Sequence, residues 1–217
     1  MKKAVLFDLD GTLLNTLGDL TAAVNHALVR QGFPGRTEAE VRSFLGDGVK
    51  ELIARACPSD TADEIRQSVL EAYLPFYATH NADKTLPYDG VPALLQSLRE
   101  AGYVLGVVSN KHEAGAVALC RRFFGETLDV VVGGGEARPL KPAPDSLLYA
   151  MEQIGVIPQN AWFVGDSVVD VQTARAAGVR GIAVTWGFQD EERLVAECPA
   201  ALVHTPEEIK HIVLAKK

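Results

Sequence analysis

The sequence predicts an α/β fold, with a parallel sheet as its core and a small α-helical domain inserted after the first strand. Three observations support this prediction. The chain opens with a short apolar run that ends in two acids, within residues 4–10. A long stretch of purely helical patterns follows. From Pro87 onward strand and helix patterns alternate, which is typical of a parallel sheet with helices on both faces.

The opening strand is predicted at Ala4–Phe7, directly before Asp8 and Asp10. Gly11 follows and allows a sharp turn. The carboxyl ends of the strands are where open α/β folds bind their ligands. Two carboxylates so close in sequence repel each other unless a cation, a proton or solvent intervenes. By itself, the pattern is equally consistent with a strand followed by a solvated acidic turn.

Helical patterns fill the segment from Leu14 to Thr85, and no strand pattern interrupts them. One of them starts with the order Thr-x-x-Glu of a capping box. The patterns lie at 19–29, after the capping box at 37–40, at 49–56 and at 61–73. We interpret residues 15–85 as an inserted helical domain, and residues 1–14 with 86–217 as the core domain.

The second half of the chain alternates between apolar strands and amphipathic helices. The near-continuous apolar runs in the strands fit burial on both faces of the sheet. Helices are predicted at Val91–Ala101, Glu113–Phe124, Ser146–Ile154, Val168–Ala177 and near Glu207–Leu214, and strands at Val104–Ser109, Leu128–Val132, Trp162–Gly165 and Gly181–Thr185. The glycines at 133–135 are interpreted as a flexible exit from a strand.

Composition excludes several classes of protein. A net charge of -7 argues against a nucleic-acid partner, which usually requires a basic surface. The 3 cysteines are odd in number and far apart, which favours reduced thiols over disulfides or a zinc site. No apolar run is long enough for a signal peptide or a membrane span. We therefore expect a cytoplasmic protein without a membrane partner, either a monomer or a small homo-oligomer.

Polar residues follow several of the predicted strands. Ser109 and Asn110 end one strand, Asp166 ends another, and Lys141 lies on a loop between them. Each has an ordinary interpretation, as a helix cap or an exposed lysine. Because the carboxyl ends of parallel strands meet at one edge, however, we expect Asp8, Ser109, Lys141 and Asp166 to converge.

The converging acids suit phosphoryl transfer. A carboxylate that attacks a phosphate ester must overcome the repulsion between two anions. A divalent ion held by Asp8 and Asp166, with a water or a backbone oxygen from Asp10, would screen that repulsion, and oxygen-only ligands favour Mg²⁺. Asp8 would be the nucleophile that forms an aspartyl-phosphate. Asp10 would protonate the leaving oxygen and later activate water.

The other polar residues have supporting roles in this hypothesis. Ser109 and Lys141 would hold the phosphoryl oxygens on which negative charge spreads in the transition state. Asp170 would orient either Lys141 or the water around the metal ion. The helix that begins near Ser167 would direct the positive end of its dipole at the same edge.

The motifs Asp8-x-Asp10-Gly11-Thr12, Ser109, Lys141 and 165–170 (Gly-Asp-Ser-x-x-Asp) resemble, in order and spacing, the four motifs of the haloacid dehalogenase superfamily of phosphohydrolases. This resemblance implies a Rossmann-like core with a helical cap, Mg²⁺ as cofactor, Asp8 as nucleophile and Asp10 as acid/base. It implies that the ligands of Mg²⁺ are Asp8, the Asp10 carbonyl and Asp166. One departure is Asn15, where relatives often have Asp; this leaves open any role at that position that needs a charge.

The loop Leu45-Gly46-Asp47-Gly48 is similar to the Gly-x-Gly cap loop of the bacterial phosphoglycolate phosphatases in that superfamily. The resemblance implies a small phosphorylated metabolite as the substrate, with phosphoglycolate as the best single candidate. The expected substrate-binding residues are Gly11, Thr12, Asn110, Gly46, Asp47 and Gly48.

Other functions remain open at this point. A hexose-phosphate mutase or a pyrophosphatase of the same superfamily would keep both motif-one acids and differ mainly in the cap. A haloacid dehalogenase would not need Asp10. A phospho-accepting signalling module, which is not an enzyme, also uses Asp, Ser/Thr and Lys at strand ends, but in a different chain order and without the helical insertion.

Overall fold

The computed structural model describes residues 2–215. The chain divides into two compact units. The core unit contains the residues up to Leu14 and those from Pro87 onward, and the helical unit is Asn15–Leu86. Among the described residues, no helix combines the length and the apolar character that crossing a bilayer requires.

The elements are numbered in chain order. The strands are β1 Ala4–Phe7, β2 Leu14–Asn15, β3 Leu86–Pro87, β4 Val104–His112, β5 Val130–Gly134, β6 Ala161–Gly165, β7 Arg180–Val184 and β8 Ala201–Val203. The helices are α1 Leu17–Arg30, α2 Glu38–Phe44, α3 Val49–Ala56, α4 Asp63–His80, α5 Val91–Glu100, α6 Glu113–Phe124, α7 Asp145–Ile154, α8 Val168–Ala176, α9 Glu191–Ala196 and α10 Pro206–Leu214.

The core unit is built on a six-stranded sheet with the order β5-β4-β1-β6-β7-β8. Each pair of neighbouring strands is parallel, so the predicted parallel sheet is confirmed. Strand β1 lies between β4 and β6, and its last residue, Phe7, is level with Val107 and Val164. The residues just past these three positions therefore meet at the middle of the carboxyl edge.

Both faces of the sheet are covered, as the apolar strands predict. Leu6 belongs to a buried cluster with Leu147 and Met151 of α7. Successive residues of a strand point to opposite faces, so Phe7 faces the other side of the sheet. Both Leu6 and Phe7 are fully buried. Water is thus excluded from both sides of the strand that precedes Asp8.

The structure differs from the sequence prediction at three places in the core unit. Strand β5 begins at Val130 and extends to Gly134, two residues later than predicted at each end. Strand β4 continues to His112, with a shift of register after Val108. Both extensions arise because His112 pairs with Gly134. Helix α9 and strand β8 were not predicted from the sequence, because each is too short to show the periodicity of a helix or a strand.

The helical unit has its own apolar core. Residues from all four of its helices form one buried cluster, which includes Leu28, Val41, Ile53 and Tyr73. The predicted capping box is confirmed at the start of α2, where the Thr37 side chain accepts a hydrogen bond from Glu40 N and the Glu40 side chain accepts one from Thr37 N. Short strands β2 and β3 pair where the chain enters and leaves the unit, although no strand was predicted there.

Asp19 ties the two ends of the helical unit together. Its carboxylate accepts hydrogen bonds from Lys84 N at 3.0 Å, Thr85 N at 2.9 Å and Thr85 Oγ1 at 2.7 Å. The side chain lies in the first turn of α1 and is buried. One carboxylate therefore holds the segment before β3 against the start of α1.

We expect Asp19→Ala to lower the free energy of unfolding by about 2–4 kcal/mol, because several buried donors lose a charged acceptor. Asp83→Ala removes an exposed acid from the same segment and should change stability by less than about 0.5 kcal/mol. Urea denaturation of both variants checks the prediction. Equal stabilities for the two variants would contradict it.

Candidate functional site

The candidate site lies at the carboxyl edge of the sheet, where β1 and β6 end beside the last residues of β4. Asp8 directly follows β1, and its backbone N–H donates to the Val164 carbonyl of β6 at 2.8 Å. Ser109 lies two residues past the Val107 position of β4, and Asp166 directly follows β6. The parallel register thus brings these three side chains to one edge.

Asp8, Asp166 and Asp170 form a buried cluster of acids. Each offers a carboxylate oxygen within 4.8 Å of the others. Burial raises the pKa of Asp8 to about 6; Lys141 opposes this rise and Asp170 adds to it. Burial likewise raises the pKa of Asp166 well above its ordinary value, and the charges of Asp170 and Asp8 add to the rise. The cluster therefore holds negative charge at an energetic cost.

Lys141 supplies the positive charge within this cluster. Its Nζ lies 2.9 Å from Asp8 Oδ1 and 2.6 Å from Asp170 Oδ1, and the side chain is almost completely buried. Burial alone would lower the pKa of Lys141, but Asp170 and Asp8 more than offset it and raise the pKa above its usual value. Lys141 is therefore a permanent cation next to Asp8.

The loop that carries Lys141 is fastened to the end of β4 by Asn110. The Asn110 side chain accepts a hydrogen bond from Lys141 N at 2.7 Å and donates one to the Lys141 carbonyl at 3.0 Å. The Lys141–Pro142 peptide bond is cis. Asn110 was expected to bind substrate, but its side-chain amide forms hydrogen bonds with the backbone of Lys141.

Asp170 holds Lys141 rather than an open coordination position. One of its oxygens accepts from Lys141 Nζ, and the other accepts from Ser167 Oγ at 2.5 Å and Ser167 N at 3.1 Å. Ser167 caps α8 in return, because its side chain accepts a hydrogen bond from Asp170 N. Gly165 lies so close that a Cβ there would collide with the Asp170 side chain.

Asp166 is oriented by the loop after β1 and by the segment after β7. Thr12 Oγ1 donates to its Oδ1 at 3.0 Å, and Phe188 N donates to its Oδ2 at 2.7 Å. Gly11 has φ 86°, and a Cβ there would collide with the Asp166 carboxylate. Trp186 Nε1 donates to the Thr12 carbonyl at 3.1 Å, which secures the arrangement. The contributions of Trp186 and Phe188 were not predicted from the sequence.

Gly11 and Thr12, which were expected to bind substrate, use their backbone N–H groups within the chain. Gly11 N donates to the Leu14 carbonyl at 2.9 Å, and Thr12 N donates to the Leu9 carbonyl at 3.3 Å. Both residues therefore form the turn after β1. Thr12 also orients Asp166, and Gly11 leaves room for the Asp166 carboxylate.

Asp10 lies outside the acid cluster found among residues 2–215 and pairs with a lysine that the sequence analysis assigned no role. Lys111 Nζ lies 2.9 Å and 2.8 Å from the two Asp10 carboxylate oxygens. Both side chains are largely buried. A signal was present in the sequence, since Lys111 directly follows Ser109 and Asn110 at the strand end.

The loop at 46–48 lies in the helical unit. Gly46 and Gly48 have φ of 120° and 86°, which favour glycine. The Asp47 carboxylate accepts a hydrogen bond from Arg55 at 2.5 Å. Within its own unit, the loop is thus a turn fastened by an ion pair.

The residues of the cluster fit a divalent cation. All the side-chain donors are carboxylate oxygens, which Mg²⁺ prefers. Asp8 Oδ1 is buried and receives no hydrogen bond of normal geometry from residues 2–215, so its contact with Lys141 is an ion pair. A cation would also relieve the repulsion that adds to the effect of burial on the pKa of Asp8 and Asp166.

Comparison with known proteins adds an independent line of support. The sequence model of the haloacid dehalogenase-like hydrolase family matches residues 5–184 of this chain. The phosphoglycolate phosphatase of Pseudomonas putida is 34% identical, over 94% of this chain and 76% of that protein. The N-acetylmuramic acid 6-phosphate phosphatase of Pseudomonas aeruginosa is also 34% identical, over 86% of this chain and 83% of that protein.

A solved structure shows the same fold over its full length. It is the crystal structure of a candidate phosphoglycolate phosphatase from Lactobacillus delbrueckii subsp. bulgaricus. The TM-score is 0.94, the identity is 32%, and the match covers 100% of both chains. The arrangement of the sheet and its flanking helices is thus shared with an experimentally determined structure.

We expect Asp8→Asn to stabilise the metal-free protein at pH 8. Burial raises the pKa of Asp8 in the folded state to about 6, above its ordinary value of 3.8. The contribution of Asp8 to the free energy of unfolding is therefore most favourable below pH 3.8 and is lost as the pH rises through 6. Asn removes this cost, and the expected gain is about 2–3 kcal/mol. The gain should shrink when the same measurement is made at pH 5.

Urea denaturation in the presence of a chelator at both pH values measures the effect. Glu152→Gln, an exposed acid on α7, serves as the control and should show no such dependence on pH. A less stable Asp8→Asn protein at pH 8 would contradict the prediction.

Proposed function

The chain belongs to the haloacid dehalogenase-like hydrolases, and from this premise we propose that it is a Mg²⁺-dependent phosphomonoesterase acting on a small phosphorylated metabolite. Phosphoglycolate is the substrate we favour. The observation that supports this most strongly is the environment of Asp8, a buried carboxylate that lies 2.9 Å from Lys141 and within 4.8 Å of two other acids. Such a group is suited to attack an anion only when a cation screens it.

Mg²⁺ would be held by carboxylate oxygens of Asp8 and Asp166 and by the backbone carbonyl of Asp10. When bound, the ion supplies positive charge that screens the phosphate from the attacking carboxylate. Thr12 Oγ1 and Phe188 N fix the Asp166 carboxylate, so this ligand does not have to reorganise when the ion binds. We assign Thr12 to this task rather than to the substrate.

In the first half-reaction, an oxygen of Asp8 forms a bond to phosphorus while the ester P–O bond breaks. Asp10 gives a proton to the leaving oxygen, which departs as an alcohol. Lys141 stays charged and is held between Asp8 and Asp170. It stabilises the phosphoryl oxygens together with the Ser109 hydroxyl.

In the second half-reaction, water attacks phosphorus and the aspartyl-phosphate bond breaks. Asp10, now a carboxylate, accepts the proton of that water. Phosphate is released and Asp8 is regenerated as a carboxylate. Asp170 acts throughout by holding Lys141 in place, since both of its oxygens are engaged by Lys141 and Ser167.

The helical unit is proposed as the cap that excludes bulk water from the phosphoryl group during turnover. It has a core of its own, so it can move as one body about its two connections. Glycines at positions 46 and 48 would permit close approach of the backbone to a small substrate. The Asp47 carboxylate is paired with Arg55, so we assign it to holding the loop rather than to the substrate.

A sugar phosphate is the second candidate substrate. One relative acts on N-acetylmuramic acid 6-phosphate and is as similar to this chain, at 34% identity, as the phosphoglycolate phosphatase of Pseudomonas putida. Phosphoglycolate is favoured because the loop at 46–48 is similar to the Gly-x-Gly loop of the phosphoglycolate phosphatases.

We expect chelator-sensitive release of phosphate from phosphoglycolate. The test panel contains phosphoglycolate, N-acetylmuramic acid 6-phosphate, a hexose phosphate and pyrophosphate, each with Mg²⁺ and with a chelator. A clear preference for phosphoglycolate would support the proposed substrate, and a preference for a sugar phosphate would replace it. Activity that is insensitive to the chelator would overturn the metal-dependent mechanism. No release from any compound would overturn the proposed reaction and favour the mutase.

We expect Asp8→Asn to lower kcat by roughly 10⁴-fold or more, because the covalent route loses its nucleophile. The matched control is Asp145→Asn, an exposed acid that follows Lys141 by four positions, and it should retain activity. Phosphate release by both variants, with circular dichroism to show that they fold, makes the comparison. Retained turnover in folded Asp8→Asn protein would exclude the aspartyl-phosphate.

A further inference from the structure

Lys111 and Asp10 form an ion pair that is separate from the pairs made by Lys141. Lys111 Nζ contacts both Asp10 carboxylate oxygens, at 2.9 Å and 2.8 Å. The Lys111 side chain is 7% exposed and the Asp10 side chain is 21% exposed. Removing an ammonium group from water is costly, and an apolar side chain would stabilise such a position more cheaply. The pair therefore suggests a role beyond stability.

The end of β4 is shaped to bring Lys111 to this position. The register of β4 against β5 shifts between Val108 and His112. Opposite the shift, a Cβ on Gly133 would collide with the backbone of Glu113, and one on Gly134 would lie 2.7 Å from the Asn110 carbonyl. The two glycines, interpreted from sequence as a flexible exit, are close-packing residues that allow the bulged strand to approach.

We propose that Lys111 is a positioning residue for Asp10, fixing its carboxylate where it can exchange a proton with the leaving oxygen and then with water. This inference rests on the proposed phosphomonoesterase function. An aspartate side chain without such a partner can rotate away from the reacting atoms, and misplacement of a proton donor slows the reaction. Lys111 itself keeps its protons throughout. One Asp10 oxygen stays with Lys111 and the other carries the proton. That proton moves to the ester oxygen as the P–O bond breaks, and the bond's electron pair stays on that oxygen.

The leaving group separates this role from direct contact with the phosphate. An alkyl phosphate such as phosphoglycolate needs a proton on its leaving oxygen, whereas para-nitrophenyl phosphate releases a stable anion. The value of kcat/KM reports the steps up to phosphoryl transfer to Asp8. A residue that acts through Asp10 should therefore affect kcat/KM for the alkyl ester and spare the aryl ester, whereas a residue that binds the phosphoryl group should affect both.

The experiment measures kcat/KM of the full chain with Mg²⁺ on both esters. We expect Lys111→Met to lower kcat/KM by about 10- to 100-fold on phosphoglycolate and by less than about threefold on para-nitrophenyl phosphate. The loss on phosphoglycolate is a part of the rate gain that acid catalysis provides. Lys111→Arg keeps the cation and should recover most of the activity. Lys141→Met should lose activity on both esters, and Lys210→Met on α10 should resemble the wild type.

A double variant shows whether Lys111 acts through Asp10. Adding Lys111→Met to Asp10→Asn should cost no further activity, because the group that Lys111 positions is already absent. An equal loss on both esters, a full additional loss in the double variant, or unchanged activity of Lys111→Met would each overturn the proposal. Circular dichroism and thermal melting show whether each variant folds. If Lys111→Met does not fold, Lys111→Arg remains as the test.

Failure of the proposed function gives a different result. Wild-type protein that releases no phosphate from either ester would overturn the phosphomonoesterase proposal, and this inference with it. An active wild type with an unselective Lys111→Met variant would overturn the role of Lys111 alone.

Discussion

The ion pairs of Lys141 with Asp8 and Asp170 are the interaction on which the rest of the site depends. Asp8, Asp166 and Asp170 repel one another in a region from which the sheet and its helices exclude water. One buried ammonium group, at 2.9 Å and 2.6 Å from two of these acids, offsets part of that repulsion. Burial, together with the repulsion that remains, raises the pKa of Asp8 and Asp166 in the folded state.

This residual repulsion explains how stability and function are related in the core unit. A carboxylate that is costly to ionise gains most when a cation arrives, so the folded site favours the binding of a cation. The neighbouring contacts serve the same end. Asn110 fastens the backbone of Lys141, and Thr12 holds Asp166. Few of the side chains at this edge are free to rearrange.

Among residues 2–215, two lysines lie at the site, and each has separate partners. Lys141 lies with Asp8 and Asp170, whereas Lys111 lies with Asp10. In the proposed mechanism, Lys141 stabilises the phosphoryl oxygens and Lys111 positions the group that transfers protons. This division follows from chain topology, because Lys111 lies near the end of β4 and Lys141 comes from the loop beyond β5.

Much of this protein was determined by local sequence. The apolar run before Asp8, the alternation of strand and helix after Pro87 and the capping box at Thr37 each depend on residues close in the chain, so the parallel sheet and the helices were predictable. The convergence of Asp8 and Asp166 was also predictable, because the strands they follow are parallel.

The tertiary structure decided what long-range packing controls. Short α9 and β8 have too few residues for a pattern, and β5 was extended by pairing with the bulged end of β4. The partners of Lys111 and Thr12 were likewise hidden, since Asp10 and Asp166 lie 101 and 154 positions away from them in the chain. Periodicity places a side chain on an edge or a face of the sheet. Which atoms it then contacts depends on distances of a few tenths of an ångström, and only the packed chain sets these.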